Sequence, residues 1–173
     1  MDWPYIHTLI NHFPIILTVV GCAALLLALI SRQRGHWLYA LATLTLAGLS
    51  IYPADFTGDQ ASHALRNTWY VVNDMVREHD GSATWALITV LPMGAVAAYA
   101  WWRMLKREPT GLPPVGLRTL VAFLAALGLA VVVRTAYLGG LIIHESPRLK
   151  TPPPGMVVPP DSTGISPGTR RRS

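Results

Sequence analysis

The chain has 173 residues, 51% of them hydrophobic and only 13% charged, with a formal net charge of +5. A soluble domain carries about 25% charged residues, so these proportions exclude an ordinary soluble fold and indicate a membrane protein. The single cysteine, Cys22, excludes an internal disulfide framework, and no Cys-x-x-Cys-His haem attachment sequence is present.

Four apolar segments follow in chain order, at about 5–30, 37–54, 83–105 and 117–143. A spanning helix needs about 20 residues, and the second segment falls slightly short of that. The first does not read as a cleavable signal peptide: it has no basic n-region, and its only early charge is Asp2. Cys22, between Gly21 and Ala23, reads as a small packing residue. Ahead of the third segment, Leu65, Trp69, Val72, Val76 and His79 recur at alternating spacings of four and three. That is the apolar stripe of an amphipathic helix, which predicts an outer-face helix with His79 turned into protein. Ala83 and Ala86 continue the stripe with small side chains beside the ring. Beyond residue 150 the sequence "TPPPGMVVPPDSTGISPGTRRRS" reads as an extended proline-rich tail with no core of its own. The expected fold is all-α: an integral membrane four-helix bundle over residues 1–149, with the 150–173 tail as a tether for a partner on the outer face.

Charge placement predicts the orientation. Arg32 and Arg34 lie between the first two spans. Arg103, Lys106, Arg107 and Arg118 lie between the last two, with Glu108 the only acid in either connection. The 55–80 connection holds Asp55, Asp59, Asp74, Glu78 and Asp80 against Arg66 and Arg77. Short loops rich in Lys and Arg stay cytoplasmic, so both termini and the 55–80 connection are expected outside. In a Gram-negative bacterium that means an inner-membrane protein with periplasmic termini.

This topology sorts the histidines. His7 and His12 lie at the outer end of the first helix, His79 at the outer start of the third, and His144 at the outer end of the fourth. His63 falls in the outer connection and reads as exposed, and only His36 falls on the cytoplasmic side. Imidazoles on facing bundle helices suit a b-type haem, because bundle cores are where helical proteins build cofactor sites and two axial histidines give an electron-carrying iron. Gly140, one turn before His144 on the same face, lets something flat approach the backbone. His7 and His12 are about 140° apart around a helix and cannot share one ion from one face. Either serves as ligand with the other in support, or they serve two sites. The plain alternatives are an aromatic belt for His7, beside Trp3 and Tyr5, and a helix–helix hydrogen bond for His12.

Arg134 stands alone in "LAVVVRTAYLGG", about 15 Å along the helix from His144. An arginine inside a spanning segment is a functional-site candidate by default. Its expected partners are a haem propionate, a quinone carbonyl or an acid on another subunit.

Four stretches resemble the motifs of a widespread bacterial family of four-helix membrane proteins. "HTLINHFPIILTVVG" is similar to its opening H-P-x-x-V-H-F-P-I signature, "FTGDQASHAL" to its T-G-x-x-A segment and "REHDGSATWAL" to its H-x-x-x-A start of helix 3. "TAYLGGLIIHES" is similar to its closing glycine pair and histidine. The likeness covers residues 5 to about 146. It implies an inner-membrane, haem-binding redox subunit and falls on His7, His12, His79 and His144. Thr8 stands where the family has proline, which makes His7 the weakest of the four expectations.

The function favoured on these grounds is a cytochrome b-type subunit with one haem b, or two, near the outer leaflet between helices 1, 3 and 4. It would pass electrons between the quinone pool and a periplasmic redox partner as part of a larger complex. No group resembles a general base with its own substrate pocket, which favours a carrier over an independent enzyme. Two rivals stand beside it: a copper-, zinc- or haem-handling membrane protein, and a structural anchor. Nothing in the pattern addresses a nucleic acid.

Overall fold

The computed structural model describes residues 2–65, 73–106 and 111–144. Trp69 and Val72 of the amphipathic stripe, Arg107, Glu108 and the 150–173 tail lie outside them. Among the described residues all regular structure is helical: α1 (Trp3–Ile10), α2 (His12–Ser31), α3 (Arg34–Leu65), α4 (Asn73–Lys106) and α5 (Val115–His144). Helices α1 and α2 are one span interrupted at Asn11, so the chain crosses four times. It is a multi-pass membrane protein built as a four-helix bundle.

Each departure from the sequence expectation has a local cause. The first span breaks because Pro14 has no N–H for the Ile10 carbonyl and its ring crowds that turn. Asn11 nonetheless keeps right-handed helical dihedrals of −63° and −19°, and its N–H reaches the His7 carbonyl at 2.9 Å, so the result is a kink. Helix α3 runs through Pro53 to Leu65 instead of stopping near residue 54. Helix α4 starts at Asn73, ten positions ahead of the expected 83. A separate outer-face helix therefore does not form in the described residues; Leu65 ends α3, and Val76 and His79 belong to α4. Continuing the helix keeps backbone groups paired where the chain leaves the bilayer, which outweighs the polar composition there.

Helices α2, α3, α4 and α5 pack in a ring, each against the next, and α1 leans on α3. Small residues set the closest approach. At the α3–α4 crossing a Cβ on Gly48 would stand 2.6 Å from the Gly94 Cα, and a Cβ on Gly94 would stand 2.6 Å from the Gly48 Cα. Trp37, Leu41, Leu44, Val90, Met93, Met104 and Val121 fill the core around and beyond that crossing. Large apolar side chains also point outward, among them Leu26, Ile30, Leu49, Phe123 and Val133. Only 22–50% of each span's most apolar window is buried inside the protein, so lipid must cover the rest.

The two ends of the bundle differ in charge. At one, Arg32 closes α2 in a left-handed conformation (φ 55°) with its N–H on the Ala28 carbonyl at 3.0 Å. Arg34 then donates to the Met104 carbonyl at 3.0 Å and the Gly111 carbonyl at 3.4 Å, tying the last turn of α4 to the next connection. At the same end Ser31 and His36 share a hydrogen bond of 2.7 Å. The opposite end carries His7, His12, His63, His79 and His144.

A candidate cofactor site at the histidine end

His7 of α1 and His79 of α4 face each other across the bundle, ring centres 6.4 Å apart and planes at 73°. Both rings are anchored in the same way. The His7 Nδ1 lies 3.1 Å from the Ala54 carbonyl on α3, and the His79 Nδ1 lies 3.1 Å from the Thr135 carbonyl on α5. A carbonyl oxygen can only accept, so each Nδ1 carries the proton, and in the neutral ring the Nε2 lone pair is left free. That is the tautomer a metal-ligating histidine adopts when backbone orients it.

Glycine completes each half. A Cβ at Gly58, four residues after Ala54, would stand 3.1 Å from the His7 Cε1. A Cβ at Gly139, four residues after Thr135, would stand 3.1 Å from the His79 Cε1. The ring edges thus occupy the space that side chains would take. Hydroxyls brace both sides: Thr57 Oγ1 lies 3.3 Å from the His7 Nδ1, while Ser82 and Thr135 share a 2.8 Å hydrogen bond. Ser62 donates to Asp80 at 3.0 Å, linking α3 to α4 beside the pair. Asn11, one turn from His7 on the same face, has a buried Oδ1 without a hydrogen-bond partner.

The other expected site residues are placed differently. His12 is exposed, with its Nδ1 2.6 Å from the Thr8 carbonyl of its own helix. The ligand expected first on α1/α2 is therefore not the one that meets His79; His7 is. His144 is exposed at the last position of α5, and Arg134 is exposed. Neither joins the pair. Gly140, expected to make the clearance, would meet nothing within 4 Å if given a Cβ; Gly139 is the glycine against a ring. His63 is exposed, as expected.

Ala54, Thr57, Gly58, Thr135 and Gly139 carry the site's architecture; as site residues they escaped the sequence reading, in which Gly139 figured only as half of a glycine pair. The Thr57-Gly58 pair stands inside the T-G-x-x-A segment, so a signal existed. Ending the second span at residue 54 left those residues outside any helix, and hence without a face. Among the described residues no third His, Cys, Asp or Glu joins the two imidazoles in a metal-binding group. No family model, curated protein or solved structure matches the chain.

Proposed function

We propose that the protein is a membrane electron-transfer subunit that holds haem b between His7 and His79. The observation that carries this reading is the facing pair with both Nδ1 atoms anchored on carbonyls, which leaves both Nε2 lone pairs without a hydrogen-bond partner among the described residues. One metal ion bonded to an imidazole nitrogen on each side, at about 2 Å per bond, would hold the ring centres about 6 Å apart. The observed 6.4 Å fits that span. A zinc site draws three or four ligands from protein, whereas a haem would need from the protein only the two imidazoles that His7 and His79 offer. Gly58 and Gly139 fit the same group by holding the rings at fixed depth without side chains of their own.

A bis-histidine haem supplies one-electron transfer at an iron with no open position. The protein's share is to fix both rings, keep each Nδ1 protonated and hold the pair at one membrane boundary. At 1.5 Å per residue His79 lies about 30 Å along α4 from Tyr99, whose ring stacks on Trp102 with centres 6.1 Å apart. About 30 Å is the hydrocarbon thickness, and aromatic rings favour its edges. The pair therefore sits near one headgroup layer. The opposite end carries Arg32, Arg34, Arg103, Lys106 and Arg118, so the positive-inside tendency puts the histidine end outside. In this reading the subunit lies in a bacterial inner membrane with periplasmic termini. It exchanges electrons between quinone and a periplasmic redox partner gathered by the proline-rich tail.

The test is the absorption spectrum of the purified, dithionite-reduced protein, with a pyridine haemochrome assay for stoichiometry. A b-type α-band is expected, lost in His7→Ala and in His79→Ala and retained in His12→Ala and His144→Ala. A preparation that stays haem-free with haem supplied, or a band indifferent to His7 and His79, would overturn the reading. Copper or zinc bound by a colourless protein would favour the metal-handling rival.

A further inference from the structure

The two halves of the site use matching parts: a histidine ring anchored on a helix carbonyl, with a glycine four residues further on against the ring. Aligning Ala54 with Thr135, the two ring anchors, also aligns Gly58 with Gly139, Phe56 with Tyr137 and His63 with His144. Under that alignment Thr57 falls on Leu138. The ring anchor and the glycine recur in both halves, but the position just before each glycine differs: one half has a hydroxyl there and the other a hydrocarbon.

Thr57 is buried, and its hydroxyl has one proton to give and two lone pairs. The proton goes to its own helix, to the Pro53 carbonyl at 2.8 Å or the Ala54 carbonyl at 3.1 Å. A lone pair remains for the His7 Nδ1–H at 3.3 Å, beside the Ala54 carbonyl at 3.1 Å. His7 therefore has two acceptors on one N–H. For His79 the Thr135 carbonyl is the one acceptor on Nδ1 among the described residues; the Thr135 hydroxyl bonds instead to Ser82 and to the Val131 carbonyl at 2.9 Å.

We propose that Thr57 is a positioning residue that makes the two ligands unequal, with His7 the stronger donor because two oxygens share its Nδ1–H. More acceptor density on that N–H raises the electron-donating power of the opposite nitrogen, and stronger axial donation stabilises an oxidised iron. This rests on the haem reading above, in which Thr57 sets the potential of the bound group from one side only.

The experiment titrates the midpoint potential of the haem-loaded protein and records the 15N resonance of the His7 Nδ1 in the haem-free protein. Thr57→Val should raise the potential and shift the resonance toward a weaker hydrogen bond, with the haem still bound. Thr57→Ser should restore both. Leu138→Thr, which gives the second half its missing hydroxyl, should lower the potential. An unchanged potential in haem-loaded Thr57→Val overturns the proposal and leaves the cofactor reading standing. If no haem binds, the cofactor reading fails, and the 15N shift alone decides whether Thr57 shares the His7 proton; an unshifted resonance then overturns it.

Discussion

The arginine end and the histidine end of this bundle are built on opposite principles. Toward the arginine end Trp37, Leu41, Ala97, Ala100 and Met104 are fully buried, and Arg34 donates to the Met104 carbonyl in the last turn of α4. At the histidine end α1 has no buried residue at all, and the two facing rings are only partly covered. Close packing leaves no room for a guest, because interiors are dense enough that one added methyl is felt. A bundle that keeps one end dense can leave the other loose and polar, so stability and cofactor chemistry occupy different turns of the same helices.

Substitutions at the two ends should separate these roles. The largest effect is expected at the α3–α4 crossing. Gly94→Val would push a branched side chain into the Gly48 backbone, where even a Cβ stands at 2.6 Å. Overpacking costs about 1–3 kcal/mol or more, and here backbone, not a flexible side chain, must yield. Loss of the monodisperse species on size exclusion and a strongly lowered thermal midpoint are expected. A fully stable Gly94→Val protein would show that the crossing is looser than described.

At the other end Gly139→Ala should leave the fold intact and displace the His79 ring by a few tenths of an ångström, because its Cβ would stand 3.1 Å from Cε1. The expected readout is about a tenfold weaker hold on the cofactor, equivalent to about 1.4 kcal/mol, with an unchanged melting midpoint. Gly140→Ala, with nothing within 4 Å, is the matched control and should bind as the parent does. Equal behaviour of the two variants would remove Gly139 from the site.

The smallest effect belongs to Arg34→Ala. It removes donors from the Met104 and Gly111 carbonyls, and one such hydrogen bond contributes about 1 kcal/mol. A modest drop in thermal midpoint is expected, with the reduced spectrum unchanged. A spectral change would mean that the two ends are coupled.

Much of the architecture was written in composition and periodicity. Low charge and four apolar runs determined the membrane and the number of crossings, and the ends of α5 fell within two residues of the 117–143 expectation. Gathering five histidines at one end also followed from sequence, since it needs only the alternation of direction between successive spans. Helix ends were misjudged where the apolar run gave out near residue 54, because α3 continues through Pro53 to Leu65. A helix in a bundle keeps going when neighbours and its own backbone bonds repay the interruption.

What the sequence could not decide was which histidine meets which. His7 and His12 sit on one helix with a kink between them, and the choice depends on how that helix is rotated against α3. Rotation is set by contacts such as Gly21 against Leu44 and Gly58 against His7, which join residues far apart in the chain. The carbonyls of Ala54 and Thr135 were equally hidden, since every residue has a carbonyl and no letter marks the one left facing a ring. Sequence supplied the kinds of groups and the end of the membrane they occupy. Only helix-to-helix register, a property of packed backbones, turned two of those histidines toward each other.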